Sequence, residues 1–419
     1  MNLSTFGEKF RQEPGIMRLM DDMGRAIVGR SDMYMLGGGN PAHIPAMKEL
    51  WKTRLRAILE DPASFDWMLC NYDVPRGNPA FIEEVAAFLR RNFGWDVGPQ
   101  NIAITNGAQH AFFGLLNTLA GRMPGGGRRK ILLPLMPEYI GYADQGLEAD
   151  FFTSTRPTIE FREGHLFKYR VDFERLKITP DLGAICASRP TNPTGNVLTD
   201  EEMRKLDELA HRHGVPLILD CAYGLPFPGI VFSDARPFWN RDAIIVLSLS
   251  KLGLPAVRTA IVIGPEEITS TIASMNSVLS LANGNIGQAI MLPLFKSDEL
   301  IRISRDIIRP FYTKKRQQAI DWIAEFFDQS LDYHTHVSEG ALFFWFWFRG
   351  LPITSQQLYE RLKARSVLVV PGEHFFFGLD DDWAHRHECI RVNYSSQEDS
   401  VREGLRIIAD EVKKAYAGK

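Results

Sequence analysis

Short apolar runs alternate with stretches of helical period through the middle of the chain. "NIAIT" (101–105) precedes the helical run "GAQHAFFGLLNTLAG", and "KILLP" (130–134) and "GAICAS" (183–188) are further short apolar runs. A helix lies between Thr199 and Gly214: Thr199 with Glu202 three residues later makes a capping box, and Gly214 then Pro216 end it. "VPLILD" (215–220) and "DAIIVLSLS" (242–250) read as two more buried strands. This alternation predicts an α/β domain with a mainly parallel sheet, covered by helices on both faces. Upstream, "PAFIEEVAAFLRRNFG" (79–94) is an amphipathic helix that gathers Phe81, Val85, Phe88 and Leu89 on one face.

After about residue 300 the pattern changes to long helical stretches, then "GALFFWFWF", a helix through "SQQLYERLKAR", "LVV" and "CIRVNYS". That reads as a second, smaller α+β domain. The expected organisation is a loop-rich segment over 1–45 packing on the smaller domain, a large domain over 46–300 and the small domain over 301–419.

Composition narrows the function classes. Of 419 residues, 45% are hydrophobic and 24% charged, as in an ordinary soluble protein, and the net charge of −3 suggests neither a nucleic-acid nor a membrane partner. Cys70, Cys186, Cys221 and Cys389 form no C-x-x-C pair, which favours reduced thiols in the cytoplasm. The N-terminus lacks a signal-peptide apolar region, and "ALFFWFWF" (341–348) is too short to span a bilayer and reads as a core strand. "PGGGRRK" (124–130) is a basic surface turn without the Ser or Thr of a phosphate loop. His211 and His213 do not share a helix face, "HRHEC" (385–389) would need another ligand to bind zinc, and "FGLDDDW" (377–383) lacks calcium-loop spacing, so no metal is expected.

Ligands of open parallel sheets bind outside the carboxyl ends of the strands. Beyond those ends stand Ala108 and Gln109, Tyr139, Asn192, Asp220 with Tyr223, and Ser248, Ser250 and Lys251 with Arg258. Singly each has a structural explanation: Asn192 as turn chemistry, Asp220 as a cap, Lys251 as a solvated amine. Together they meet the demands of pyridoxal phosphate. Its aldehyde needs a lysine, its ring nitrogen an acid, its ring an aromatic plate, and its phosphate a helix start with hydroxyls and an arginine.

"NPTG", "DCAY" and "SLSKLGLPAVR", in that order, resemble the aspartate aminotransferase family of fold type I pyridoxal-phosphate enzymes, and the resemblance runs from "LGGGNP" (36–41) to "IRVNYS" (390–395). It implies Lys251 as the Schiff-base lysine, Asp220 as partner of the ring nitrogen, and Tyr223 and Asn192 as partners of the ring oxygen. It also implies Tyr139 stacked on the ring, and Ala108, Gln109, Ser248 and Arg258 as the phosphate cradle. Tyr72 in "NYDVPRGN" is similar to the tyrosine that reaches the phosphate of a neighbouring subunit, which implies a homodimer with active sites at the interface. Arg391 resembles the clamp on the substrate α-carboxylate, and Gly38 and Gly39 the glycine segment that closes over the substrate. The Lys251–Arg258 spacing is one residue shorter than in most of the wider family, and Ala256 replaces the usual glycine, so a different loop shape is expected.

"LGGGNPA", "PEYIGYADQGLE", "SRPTNPTGNV" and "SLSKLGLP" are similar to the branch that moves the amino group of valine to pyruvate. The implied reaction is ping-pong, giving 2-oxoisovalerate and alanine, with Lys251 as general base and acid. "LANGNIGQAIMLPLF" (281–295) carries no arginine for an acidic side chain, which favours small apolar substrates. The same cofactor residues would also serve a broader alanine or branched-chain aminotransferase or a carbon–sulfur lyase. A cofactor-bearing transcriptional regulator would need a DNA-binding domain, and about 45 residues without a helix-turn-helix precede the core.

Overall fold

The computed structural model describes residues 1–11, 17, 20–21, 24 and 33–418. Its larger sheet has eight strands. Arg128–Leu133, Leu182–Ser188, Leu217–Asp220 and Ile244–Ser248 run parallel side by side, and the last three are buried along their whole length. Burial on both faces explains why these segments read as unbroken apolar runs.

Ala260–Ile263, a strand the sequence reading did not pick out, inserts antiparallel between Ile244–Ser248 and Ile102–Thr105. The sheet is therefore mixed at that edge, and Ile102–Thr105 still points the same way as the parallel set. In register, Ser188 lies opposite Asp220, Asp220 opposite Val246, and both Ser248 and Thr105 opposite Ala260. The carboxyl ends of the parallel strands consequently meet along one edge, with the amino end of Ala260–Ile263 between two of them.

The helices follow their local signals. Asp200–Arg212 carries the expected capping box: Glu202 N donates to Thr199 Oγ1 at 3.1 Å and Thr199 N to Glu202 Oε2 at 2.9 Å. Pro79–Phe93 begins at Asn78, whose side chain accepts from Phe81 N, and ends at Gly94 in the left-handed region. Its apolar face packs against helix Ile286–Lys296, where Phe88 meets Phe295 edge to face.

A second, six-stranded sheet orders Val370–Pro371, Cys389–Asn393, Phe343–Phe348, Tyr333–His336, Leu166–Arg170 and Thr158–Arg162. The hairpin 158–170 falls within the expected large domain, yet it extends this sheet by pairing Leu166 and Phe167 with Thr335 and His336. Phe343–Phe348 is a core strand, as its aromatic run predicts. Helices Arg309–Phe326 and Glu398–Tyr416 pack together beside it.

Of the 1–45 segment expected to pack on the smaller unit, 12–16, 18–19, 22–23 and 25–32 lie outside the described residues. At its described end, Tyr34–Met35 pairs in parallel with Val367–Leu368, and Asn393 N donates to Leu36 O at 2.7 Å. Among the described residues no helix is long and apolar enough to cross a membrane, and no cluster of potential metal ligands occurs. The His385 of "HRHEC" is instead buried against Tyr169, which it contacts through Nε2.

Thr199→Ala should lower stability by about 1 kcal/mol, the usual cost of losing an N-cap. Urea unfolding measures it, and Thr199→Ser should restore most of the loss.

Candidate active site

At the shared edge of strand ends, a cavity of about 310 Å³ is lined by Gly39, Ala108, Gln109, Tyr139, Asn192, Asp220, Tyr223, Ser248, Lys251, Arg258 and Arg391. Sequence-predicted residues from seven separate segments thus come together. Gly38 and Tyr72 do not line it: Gly38 turns its carbonyl to Asn393 Nδ2 at 2.5 Å, and Tyr72 is 84% exposed to solvent.

Asp220 closes its strand at the base of the cavity. Its Oδ2 accepts from the Tyr142 hydroxyl at 2.5 Å and its Oδ1 from Ala222 N at 2.8 Å. Burial pushes the Asp220 carboxyl above its ordinary range, against the pull of those two donors and of the Lys251 charge. A buried anion with these donors and a free approach from the cavity is suited to a cationic nitrogen.

Lys251 sits in a short 3-10 turn, Ser250–Leu252, directly after strand Ile244–Ser248. That turn stops the apolar run and aims the amine into the cavity, where Nζ donates to Gly39 O at 2.6 Å and lies 5.0 Å from the Tyr223 ring centre. Burial first, then the Arg391 charge, lowers the Lys251 amine to about 8. An amine so poised is neutral near pH 7 far more often than a free lysine, as a nucleophile and proton carrier requires.

The anion end is built at the start of helix Ala108–Leu119. Gly107 precedes it at φ +95°, and a Cβ there would fall 2.1 Å from Arg258 Nη2. Only glycine leaves the helix start open to the guanidinium. Arg258 is itself left-handed at φ +46°, with Nη1 donating to Pro255 O at 3.0 Å. The turn Pro255–Val257 thus fits the shortened spacing to Lys251. Helix N–H groups, the Ser248 and Ser250 hydroxyls and Arg258 together fit a phosphate ester.

Arg391 enters from the second sheet. Its Nη1 donates to Asn192 Oδ1 at 2.7 Å and Nη2 to Gly37 O at 2.6 Å, while Nε has no hydrogen-bond partner. The guanidinium lies 4.3 Å from the Phe343 ring centre, and burial lowers it to about 10. A buried guanidinium with spare donors facing a cavity suits a carboxylate. Gln109 Nε2 is engaged with Gly141 O at 2.8 Å, so it secures the loop carrying Tyr139.

Sequence reasoning gave no role to Gly107, Tyr142, Ser188 and Glu138. Gly107 was legible as a glycine between strand and helix. The other three act behind the cavity through contacts that no local pattern announces. The donor set of this structure fits pyridoxal phosphate at each end: an amine for the aldehyde, an acid for the ring nitrogen and a cradle for the phosphate.

In cofactor-free protein, acylation of Lys251 should rise with pH to a midpoint near 8. Arg391→Leu should move that midpoint upward, because a like charge is removed. Mass spectrometry of the Lys251 peptide measures both; a midpoint at about 10.4, the free-lysine value, would contradict the electrostatics.

Residues 147–408 match the family described as "Aminotransferase class I and II". The chain is 50% identical over 417 residues to the valine–pyruvate aminotransferase of Escherichia coli (strain K12), covering 100% of this chain and 99% of that one. A solved valine–pyruvate aminotransferase from Salmonella typhimurium LT2 superposes with a TM-score of 0.89 at 49% identity, covering 97% of this chain and 100% of that one. Aspartate aminotransferase from Thermus thermophilus with maleate matches at a TM-score of 0.78 and 21% identity over 98% and 100% of the two chains, a likeness of fold. The chain belongs to the class I and II aminotransferases.

Proposed function

We propose that this aminotransferase moves the amino group of valine to pyruvate, giving 2-oxoisovalerate and alanine in a ping-pong reaction. The observation that carries the reading is one cavity holding an amine at Lys251, an acid at Asp220 and a guanidinium at Arg391. The substrate pair follows the relative in Escherichia coli, which is half identical over the full length. The 281–295 segment supplies no arginine, in keeping with a small apolar side chain.

Class I and II aminotransferases work with pyridoxal phosphate. Bound, it supplies an aldehyde that takes up the amino group and a cationic ring that draws electrons from the substrate Cα. Asp220 would hold the proton at the ring nitrogen by presenting a carboxylate to it. Tyr223 and Asn192 would donate to the ring oxygen, and Tyr139 would stack on the ring. The helix start at Ala108 and Gln109, with Ser248 and Arg258, holds the phosphate. Arg391 binds the substrate carboxylate, which competes with the Gly37 carbonyl for the guanidinium. Gly38 and Gly39 belong to the backbone segment that closes the site from above. Lys251 Nζ would carry the proton away from the donor's Cα in the first half of the exchange and deliver one to the Cα of the new amino acid in the second. Its lowered basicity keeps it free to do so near neutral pH.

Tyr72 is exposed and does not line its own chain's cavity, and we assign it to the phosphate of a second copy. Asn285 Nδ2 donates to Trp67 O and Asn71 O, which brings the 67–72 and 281–286 segments side by side. Leu69 (54% exposed) and Leu281 (58% exposed) flank that contact, and an apolar surface of this kind suits a homodimer. The large unit over 46–300 and small unit over 301–419 belong to this reading, with the 158–170 hairpin attached to the second. The free thiols suit the cytoplasm.

The holoprotein should show a visible cofactor band that valine bleaches and pyruvate restores. Lys251→Ala should abolish the exchange, and near wild-type turnover by that variant would sink the reading. Mixing Lys251→Ala with Tyr72→Ala protomers should give activity above the sum of the two, because a mixed dimer rebuilds one intact site. Strict additivity in that mixture would refute a shared site.

A further inference from the structure

Glu138 is 2% exposed and sits behind the cavity, where the mechanism above gives it no task. Its Oε1 accepts from Ser188 Oγ at 2.6 Å and from Tyr139 N at 2.9 Å, and its Oε2 accepts from Ser188 N at 3.0 Å. No cation is among these partners. Burial pushes the carboxyl up to about 8, and Asp220 adds to that rise. All three contacts ask Glu138 to accept, at both of its oxygens, which a carboxylate meets and an amide does not, and burial without a counter-ion opposes that form.

The contacts lead to one place. Ser188 Oγ lies 3.5 Å from the Tyr142 hydroxyl, too long for a strong hydrogen bond but close enough to limit where that hydroxyl goes. Tyr142 is also tied by its backbone, its N donating to Tyr139 O at 3.0 Å, and its ring meets Tyr139 edge to face at 5.2 Å. The Tyr142 hydroxyl in turn donates to Asp220 Oδ2. With the Ser188 proton committed to Glu138, Ser188 Oγ can only accept from Tyr142, and at 3.5 Å it does not compete with Asp220 Oδ2 at 2.5 Å for the phenolic proton.

We propose that Glu138 is a positioning residue for the cofactor's ring nitrogen: by fixing Ser188 and the backbone of Tyr139 it aims the Tyr142 hydroxyl at Asp220. The inference rests on the reading of Asp220 given above. Glu138 touches neither cofactor nor substrate in this scheme and acts only through that chain of contacts.

The test compares pyridoxal phosphate with an analogue carrying carbon in place of the ring nitrogen, each titrated into cofactor-free protein. Glu138→Gln and Ser188→Ala should each weaken pyridoxal phosphate about tenfold, the size of one hydrogen bond to a charged group, and leave the analogue's affinity unchanged. Equal losses for both ligands would show a structural tie and overturn the proposal, as would unchanged affinity for both. Should Glu138→Gln fail to fold, Ser188→Ala carries the same comparison. Asp220→Asn separates the two levels. If it weakens pyridoxal phosphate selectively and the other two variants do not, the inference about Glu138 falls alone. If it shows no selectivity, the reading of Asp220 falls and takes the inference with it.

Discussion

A carboxylate buried at the end of a central strand would by itself prefer to be neutral, and the site depends on countering that preference at Asp220. Desolvation raises its proton affinity, while the Tyr142 hydroxyl, Ala222 N and the charge of Lys251 lower it. The anion needed opposite a cationic ring therefore exists because oriented dipoles and a nearby amine replace water. Lys251 is the mirror case. Burial and Arg391 strip its proton, while Asp220 retains it. The two groups offset each other, so moving either would reset both.

The second constraint is backbone geometry. Parallel strands in register finish at one edge: pairing alone sets Ser188 opposite Asp220, and Ser248 follows two residues after Val246, the partner of Asp220 on the next strand. The glycine segment supplies the roof. Gly37, Gly38 and Gly39 offer successive carbonyls to Arg391, Asn393 and Lys251. Arg391 and Asn393 are alternate residues of one strand and so face the same side of their sheet. These contacts tie the second sheet to the amine at the edge of the first, giving substrate binding a direct purchase on how the two parts of the chain meet.

Much of this was legible in the primary structure, and for identifiable reasons. Fully buried strands must be apolar, so "GAICAS", "VPLILD" and "AIIVL" announced themselves, and polar residues directly after them stood out as candidates. The capping box at Thr199 is a local motif and was read correctly. Ala260–Ile263 was not, because an antiparallel insertion has no signature separating it from any other short apolar run. The 158–170 hairpin shows polar and apolar residues that suit an edge, and nothing local tells which sheet that edge belongs to. Glu138 and Tyr142 lie within a motif noted only for Tyr139, since hydrogen bonds made behind a pocket leave no spacing to recognise.

The chain by itself determined which chemistry was available: one lysine, one acid and one arginine at strand termini, glycines where a backbone must come close, and an apolar pattern that forces the strands inside. Those are properties of residue type and local period, and they survive without coordinates. Only the tertiary structure decided how strongly each group holds its proton, which carbonyl each cation meets, and that Tyr72 turns outward while Arg391 turns in. Such outcomes depend on distances between segments far apart in the chain and on the water excluded between them, and desolvation is a property of the packed whole.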